Sequence, residues 1–130
     1  MQSRLRDGVV DAISAIAEVL DIARFVREKH RADIEMFYES GYSVHDCSEI
    51  NGELAEMLRR ELGVDARLVS VSPLLDYAVK HFAVLVIIGG RRYIVDAVPE
   101  LTGLIPVDEA PEEPIIGRES EYRVFFARYL

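Results

Sequence analysis

Residues 81 to 96 read His81-Phe82-Ala83-Val84-Leu85-Val86-Ile87-Ile88, Gly89-Gly90, Arg91-Arg92-Tyr93-Ile94-Val95-Asp96. Two β-rich runs joined by Gly-Gly specify a β-hairpin, because a two-residue primed turn needs positive φ at its central positions and glycine adopts it without a Cβ penalty. The first run is apolar from Phe82 to Ile88. Both of its faces need cover, so it belongs in the middle of a sheet. The turn also fixes register: if Ile88 faces Arg91, then Ala83 faces Asp96, and Asp96 shares a face with His81 one diagonal step away. A four-residue loop keeps that arrangement and a three-residue loop reverses it. Loop length therefore decides whether His81 and Asp96 meet.

Upstream, apolar residues recur at helical spacing from about Gly8 to Arg31, with Val9, Ile13, Ile16, Leu20, Ala23 and Val26, flanked by Val10, Ala17 and Ile22, in one broad stripe. A second short helix is expected over 32 to 39, and Ser40-Gly41-Tyr42-Ser43 reads as a break. Asp46 is a candidate N-cap with Glu49 as its capping-box partner, followed by Cys47, Ile50, Leu54, Leu58 and Leu62 on one face and Gly63 as the stop. The buried stripe of this helix thus begins at the cysteine. Residues 66 to 71 form a further strand, Ser72-Pro73 ends it, and 74 to 80 is an irregular connection. The segment 107 to 117, with Pro111, Pro114 and four acids, is expected to be a surface loop. The aromatic and β-branched content of 122 to 129 favours a final strand over a short helix.

A chain of 130 residues suits one α+β domain spanning 1 to 130, with an N-terminal helical segment (1 to 40), a core (41 to 98) and the acidic, proline-rich loop (107 to 117). Half of its residues are hydrophobic and 29% are charged, enough for a core and unlike a disordered chain. The net charge of −8 argues against nucleic acid and against an acidic membrane surface as partners. No apolar run approaches the ~20 residues of a membrane helix, and residues 1 to 7 lack a signal peptide's apolar segment, so a cytoplasmic location is expected. The single cysteine can form no internal disulfide and no CxxC site.

These elements place three reactive groups within reach of one another. A carboxylate beside an imidazole holds one tautomer and stabilises its cation, which makes His81 a usable base with Asp96 as its orienting acid. If the helix beginning at Cys47 packs on the same sheet face, its dipole and the imidazolium both stabilise negative charge on the sulfur. Its first-turn N–H groups are then available to an oxyanion on a substrate carbonyl. The Asp46 carboxylate works against that charge.

The stretches from Asp46 through Leu58, Leu62 to Val69, His81 to Val84 and Gly90 to Asp96 resemble the transglutaminase-like branch of the papain-like cysteine enzymes, over residues 41 to 98. The resemblance implies a papain-like core: N-terminal helices and a nucleophile-bearing helix packed on an antiparallel sheet. It also implies Cys47 as nucleophile, His81 as general base and acid and Asp96 as orienting carboxylate, with acyl transfer through a thioester to water (protease, amidase) or to an amine (transglutaminase). A peptide or amide is the implied substrate, and no cofactor is expected. The chain departs from the family pattern at Ala83, where an aromatic is common, and at Asp96-Ala97-Val98, where the family often has Asp-Pro-Thr.

Around this trio, Tyr42 is a candidate side-chain donor to the oxyanion, and Asn51, one turn after Cys47, reads as a structural hydrogen-bonder. His45 could join Cys47, His81 and Asp96 in a mixed zinc set, but His-x-Cys alone is a weak signal and no metal is expected. Tyr77, Glu100 and the 107 to 117 loop are candidates for lining a substrate cleft. The competing reading is a catalytically inactive domain serving as a binding or assembly module, with homo-oligomerisation through the long first helix.

Overall fold

The computed structural model describes residues 12 to 130. Among them, α1 (Ala12–Lys29), α2 (Arg31–Ser40) and α3 (Cys47–Leu62) precede β1 (Asp65–Ser70), β2 (Phe82–Ile88), β3 (Arg91–Asp96) and β4 (Ile115–Arg118), and α4 (Glu119–Phe126) follows. The part of the expected first helix before Ala12, with Val9 and Val10, lies outside the described residues. The strands form one antiparallel sheet in the order β1-β2-β3-β4, so the fold is α+β. Among the described residues no helix is long and apolar enough to cross a membrane.

The hairpin turns on two residues, with Ile88 opposite Arg91 and Val84 opposite Val95. Gly89 and Gly90 take φ of 57° and 76°, the left-handed values that a primed turn demands. β2 is central, and its alternation feeds two cores. Val84 and Val86, with Tyr93 and Val95 of β3, face a cluster built from Ala15, Val19, Ala23 and Val26 of α1 and Ile50, Leu54 and Leu58 of α3. Ala83, Leu85 and Ile94 face the opposite way, onto Ile105, Tyr122 and Phe126.

Three expectations are corrected. The α1 stripe is rotated from the one read in the sequence: Ala15, Val19, Ala23 and Val26 are buried, Ile16 and Ile22 flank them, and Ile13 is 77% exposed. A run with apolar residues on several sides leaves the choice of face to the tertiary contacts, and the small residues won because they let α1 approach α3. The segment 122 to 129 is not a strand. Tyr122 and Phe126 lie one helical turn apart and bury together, with their rings 5.1 Å apart, so the helical period outweighs the β-propensity of the individual residues. Finally, the loop expected over 107 to 117 ends in β4, where Ile115, Ile116 and Gly117 pair with Asp96, Val95 and Ile94.

α3 ends as its sequence requires, on Gly63 at φ 66°, and begins with a complete capping box. Asp46 accepts from Glu49 N–H at 2.8 Å, and the Glu49 carboxylate accepts from Asp46 N–H at 3.1 Å. This double lock sets the residue at which the helix starts. Cys47 is therefore its first residue.

Candidate active site

β3 ends at Asp96, and the chain enters β2 through His81. His81 is anchored by its carbonyl, which accepts from Val71 N–H at 3.0 Å beyond the end of β1. Its Nε2 lies 2.7 Å from Asp96 Oδ2, and both side chains have zero exposure. Asp96 is held by four donors. Oδ2 takes His81 Nε2 and the Tyr122 hydroxyl at 2.8 Å, while Oδ1 takes Asn51 Nδ2 at 3.0 Å and Val98 N–H at 3.0 Å. Asn51 in turn donates to the Phe82 carbonyl at 2.8 Å and accepts from Ala97 N–H at 3.0 Å. No polar atom of this amide or of the carboxylate is left unpartnered.

Strand alternation puts Asp96 with Ile94 and Ala83 on the face turned toward α4, while α3 covers the other face. The condition considered in the sequence, α3 packing on the face shared by His81 and Asp96, is not met. The site sits at the ends of the strands, where the sheet stops separating the two layers. There Asn51 of α3 and Tyr122 of α4 both reach one carboxylate.

The electrostatics follow from that enclosure. Burial disfavours the Asp96 carboxylate, but the His81 charge, its hydrogen bond and those from Asn51 and Tyr122 overcome this and hold the pKa below its ordinary value. Burial also disfavours the His81 cation, yet the Asp96 charge and hydrogen bond, with a smaller contribution from Cys47, push its pKa up to about 10. Nε2 is taken by Asp96, and Nδ1 is buried without a hydrogen-bond partner. Cys47 is half-buried, interacts with the ring and packs against the larger core. His81 and Asp96 thus meet, and Cys47 lies near enough to the ring to contribute to its charge.

The remaining candidates divide. Asn51 is in the site as the structural hydrogen-bonder expected of it. Tyr42 is 78% exposed, and the hydrogen bonds of this residue are backbone contacts with the Ser40 hydroxyl. At the helix start the capping box occupies Glu49 N–H and Ile50 N–H bonds the Asp46 carbonyl, so neither bond takes Cys47 N–H. Tyr77 is 75% exposed. Glu100 is buried and pairs with Arg27, and together with Val107, Ala110 and Pro111 of the acidic loop it lines a cleft of about 310 Å³ that does not include Cys47, His81 or Asp96. His45 turns away from the trio to Asp33, with Nδ1 3.1 Å from Oδ2, so the four-residue metal set of Cys47, His81, Asp96 and His45 is not assembled.

Tyr122 is the site residue that the sequence reading missed. Its spacing to Phe126 suits one face of a strand as well as one face of a helix, so the local pattern did not single it out. Comparison with family models, curated proteins and solved structures finds nothing that matches this chain, so the site stands on its own geometry.

Proposed function

We propose that this chain is a cytoplasmic cysteine-dependent acyl-transfer enzyme of papain-like, transglutaminase-like architecture, acting on peptide or amide substrates. The observation that carries the reading is the buried His81–Asp96 pair, with Nε2 2.7 Å from the carboxylate and a buried, unpartnered Nδ1 that the reading assigns to Cys47. A cationic imidazole there stabilises a thiolate on Cys47. The thiolate attacks the substrate carbonyl and forms a C–S bond, and the tetrahedral oxyanion accepts from Cys47 N–H at the helix start. The C–N bond then breaks, with the leaving amine taking the proton from His81 and a thioester remaining on Cys47. Neutral His81 next removes a proton from water or from an incoming amine, whose attack releases the acyl group and returns the sulfur. Asp96 keeps the ring oriented throughout.

Alkylation by iodoacetamide across pH tests this. Rapid reaction of Cys47 near neutral pH that slows at least about tenfold in a folded His81→Ala variant is expected. Mass spectrometry after incubation with an activated ester is expected to find the acyl group on Cys47 and nowhere else. A thiol as inert as free cysteine at neutral pH, in protein whose circular dichroism is native, refutes the reading.

A further inference from the structure

We propose that His30, Asp33 and His45 form a binding site for a divalent transition-metal ion of the zinc class, separate from Cys47 and His81. His30 lies at the corner between α1 and α2, Asp33 is in the first turn of α2, and His45 comes from the loop that leads into α3. One ligand atom from each falls within 4.8 Å of the other two, and His30 and Asp33 are 7% and 6% exposed. Asp33 Oδ2 is 3.0 Å from His30 Nδ1 and 3.1 Å from His45 Nδ1. Metal bonds of about 2.0–2.2 Å, meeting at angles between square and tetrahedral, hold their ligand atoms roughly this far apart.

The second observation is on the far side of the His30 ring. Its Nε2 is buried without a hydrogen-bond partner and faces Glu53 Oε2, equally unpartnered, at 3.5 Å. With the ring proton on Nδ1, donated to Asp33, Nε2 turns a lone pair toward a carboxylate oxygen. With an ion on Nδ1 the proton moves to Nε2, and Glu53 becomes the carboxylate that orients a metal-bound imidazole. An imidazolium at His30 satisfies the same atoms, and metal uptake separates the two.

Two imidazoles and one carboxylate suit zinc-class ions and not calcium or magnesium, which take oxygen. The His45 side chain is 47% exposed, which gives an ion access and leaves a coordination position for water. His45 N–H also bonds Asp33 Oδ1 at 3.0 Å, so the carboxylate is already aimed. A bound ion pins His45 and the loop before it to the α1–α2 corner, immediately ahead of Asp46, which caps α3.

The test uses the full chain, free of any polyhistidine tag and stripped with chelator, titrated with Zn²⁺ by calorimetry and with Co²⁺ by visible spectroscopy. One ion per chain at micromolar affinity or tighter is expected, with a rise in Tm and with no thiolate charge-transfer band in the Co²⁺ spectrum. His45→Ala, at a half-exposed position, removes this binding. Cys47→Ser keeps it, and Glu53→Gln weakens it roughly 10- to 100-fold. Absence of stoichiometric binding overturns the proposal, as does binding that survives His45→Ala or is lost with Cys47→Ser. If His45→Ala does not fold, undiminished affinity in Glu53→Gln overturns it instead.

Discussion

The Tyr122 hydroxyl and His81 Nε2 bond the same oxygen of Asp96, at 2.8 and 2.7 Å. Oδ2 is thus shared between the imidazole and a phenol from α4, and the phenol helps fix where along that oxygen the imidazole sits. Burial and then the Asp96 charge raise the Tyr122 pKa well above its ordinary value, so it remains a donor throughout the working range. Tyr122→Phe keeps the packing on Phe126 and removes one bond to a charged acceptor, which should cost about 1.5–3 kcal/mol in urea unfolding. Cys47 alkylation should slow as well. Unchanged stability would show that water replaces the hydroxyl.

The buried His81–Asp96 pair sets how stability varies with pH. The pKa of His81 is raised from 6.5 to about 10 by Asp96 against the opposing effect of burial, so its contribution is complete below pH 6.5 and is lost as pH rises toward 10. Asp96 is held below 3.8, so its contribution is complete above that pH and is lost as acid protonates it. Urea midpoints from about pH 5 to about pH 10 should therefore decline on the alkaline side. In His81→Ala that decline should flatten.

Arg27 and Glu100 form a bidentate pair with side chains 8% and 1% exposed. The same guanidinium donates to the Ala97 carbonyl at 2.9 Å and the Pro111 carbonyl at 2.7 Å, tying α1 to the chain just after Asp96 and to the acidic loop. Arg27→Met strands a buried carboxylate and should cost about 3–5 kcal/mol, whereas Arg27→Met with Glu100→Gln should recover much of it. A double-mutant cycle on thermal unfolding measures the coupling. Additive losses would mean that the two act independently.

Gly90 adopts φ 76° with nothing within 4 Å of where a Cβ would stand, so any penalty for a side chain there is the backbone's alone. Gly90→Val should destabilise by about 1–2 kcal/mol, and Gly90→Asn by less, because asparagine tolerates left-handed φ. Equal melting temperatures for the two variants would contradict a primed turn.

The parts of the site that were legible in the sequence are those specified locally. Gly89-Gly90 dictated the His81–Asp96 register, and the Asp46 and Glu49 capping box dictated that α3 opens at Cys47. What was not legible depends on contacts between distant segments. Tyr122 carries β-propensity, and only packing with Phe126 against the sheet reveals a helix. β4 hides behind two prolines and four acids, and its pairing with β3 supplies what its own residues do not advertise. The apolar stripe of α1 was broad, and contact with α3 decided that its Ala15, Val19, Ala23 and Val26 line would be the buried one. Alternation along β3 was readable in advance, but not that Asp96, at its end, serves both layers at once.

His81 has no surface in contact with solvent. A proton bound to its ring is exchanged by way of its neighbours, and of these Asp96 is itself sealed off while Cys47, which contributes to the ring's charge, is half-buried. The half-buried sulfur is therefore the gate through which the imidazole communicates with bulk water. On the acyl-transfer reading proposed above, a molecule resting on Cys47 would close that gate and keep the proton taken from the thiol on hand for the leaving group.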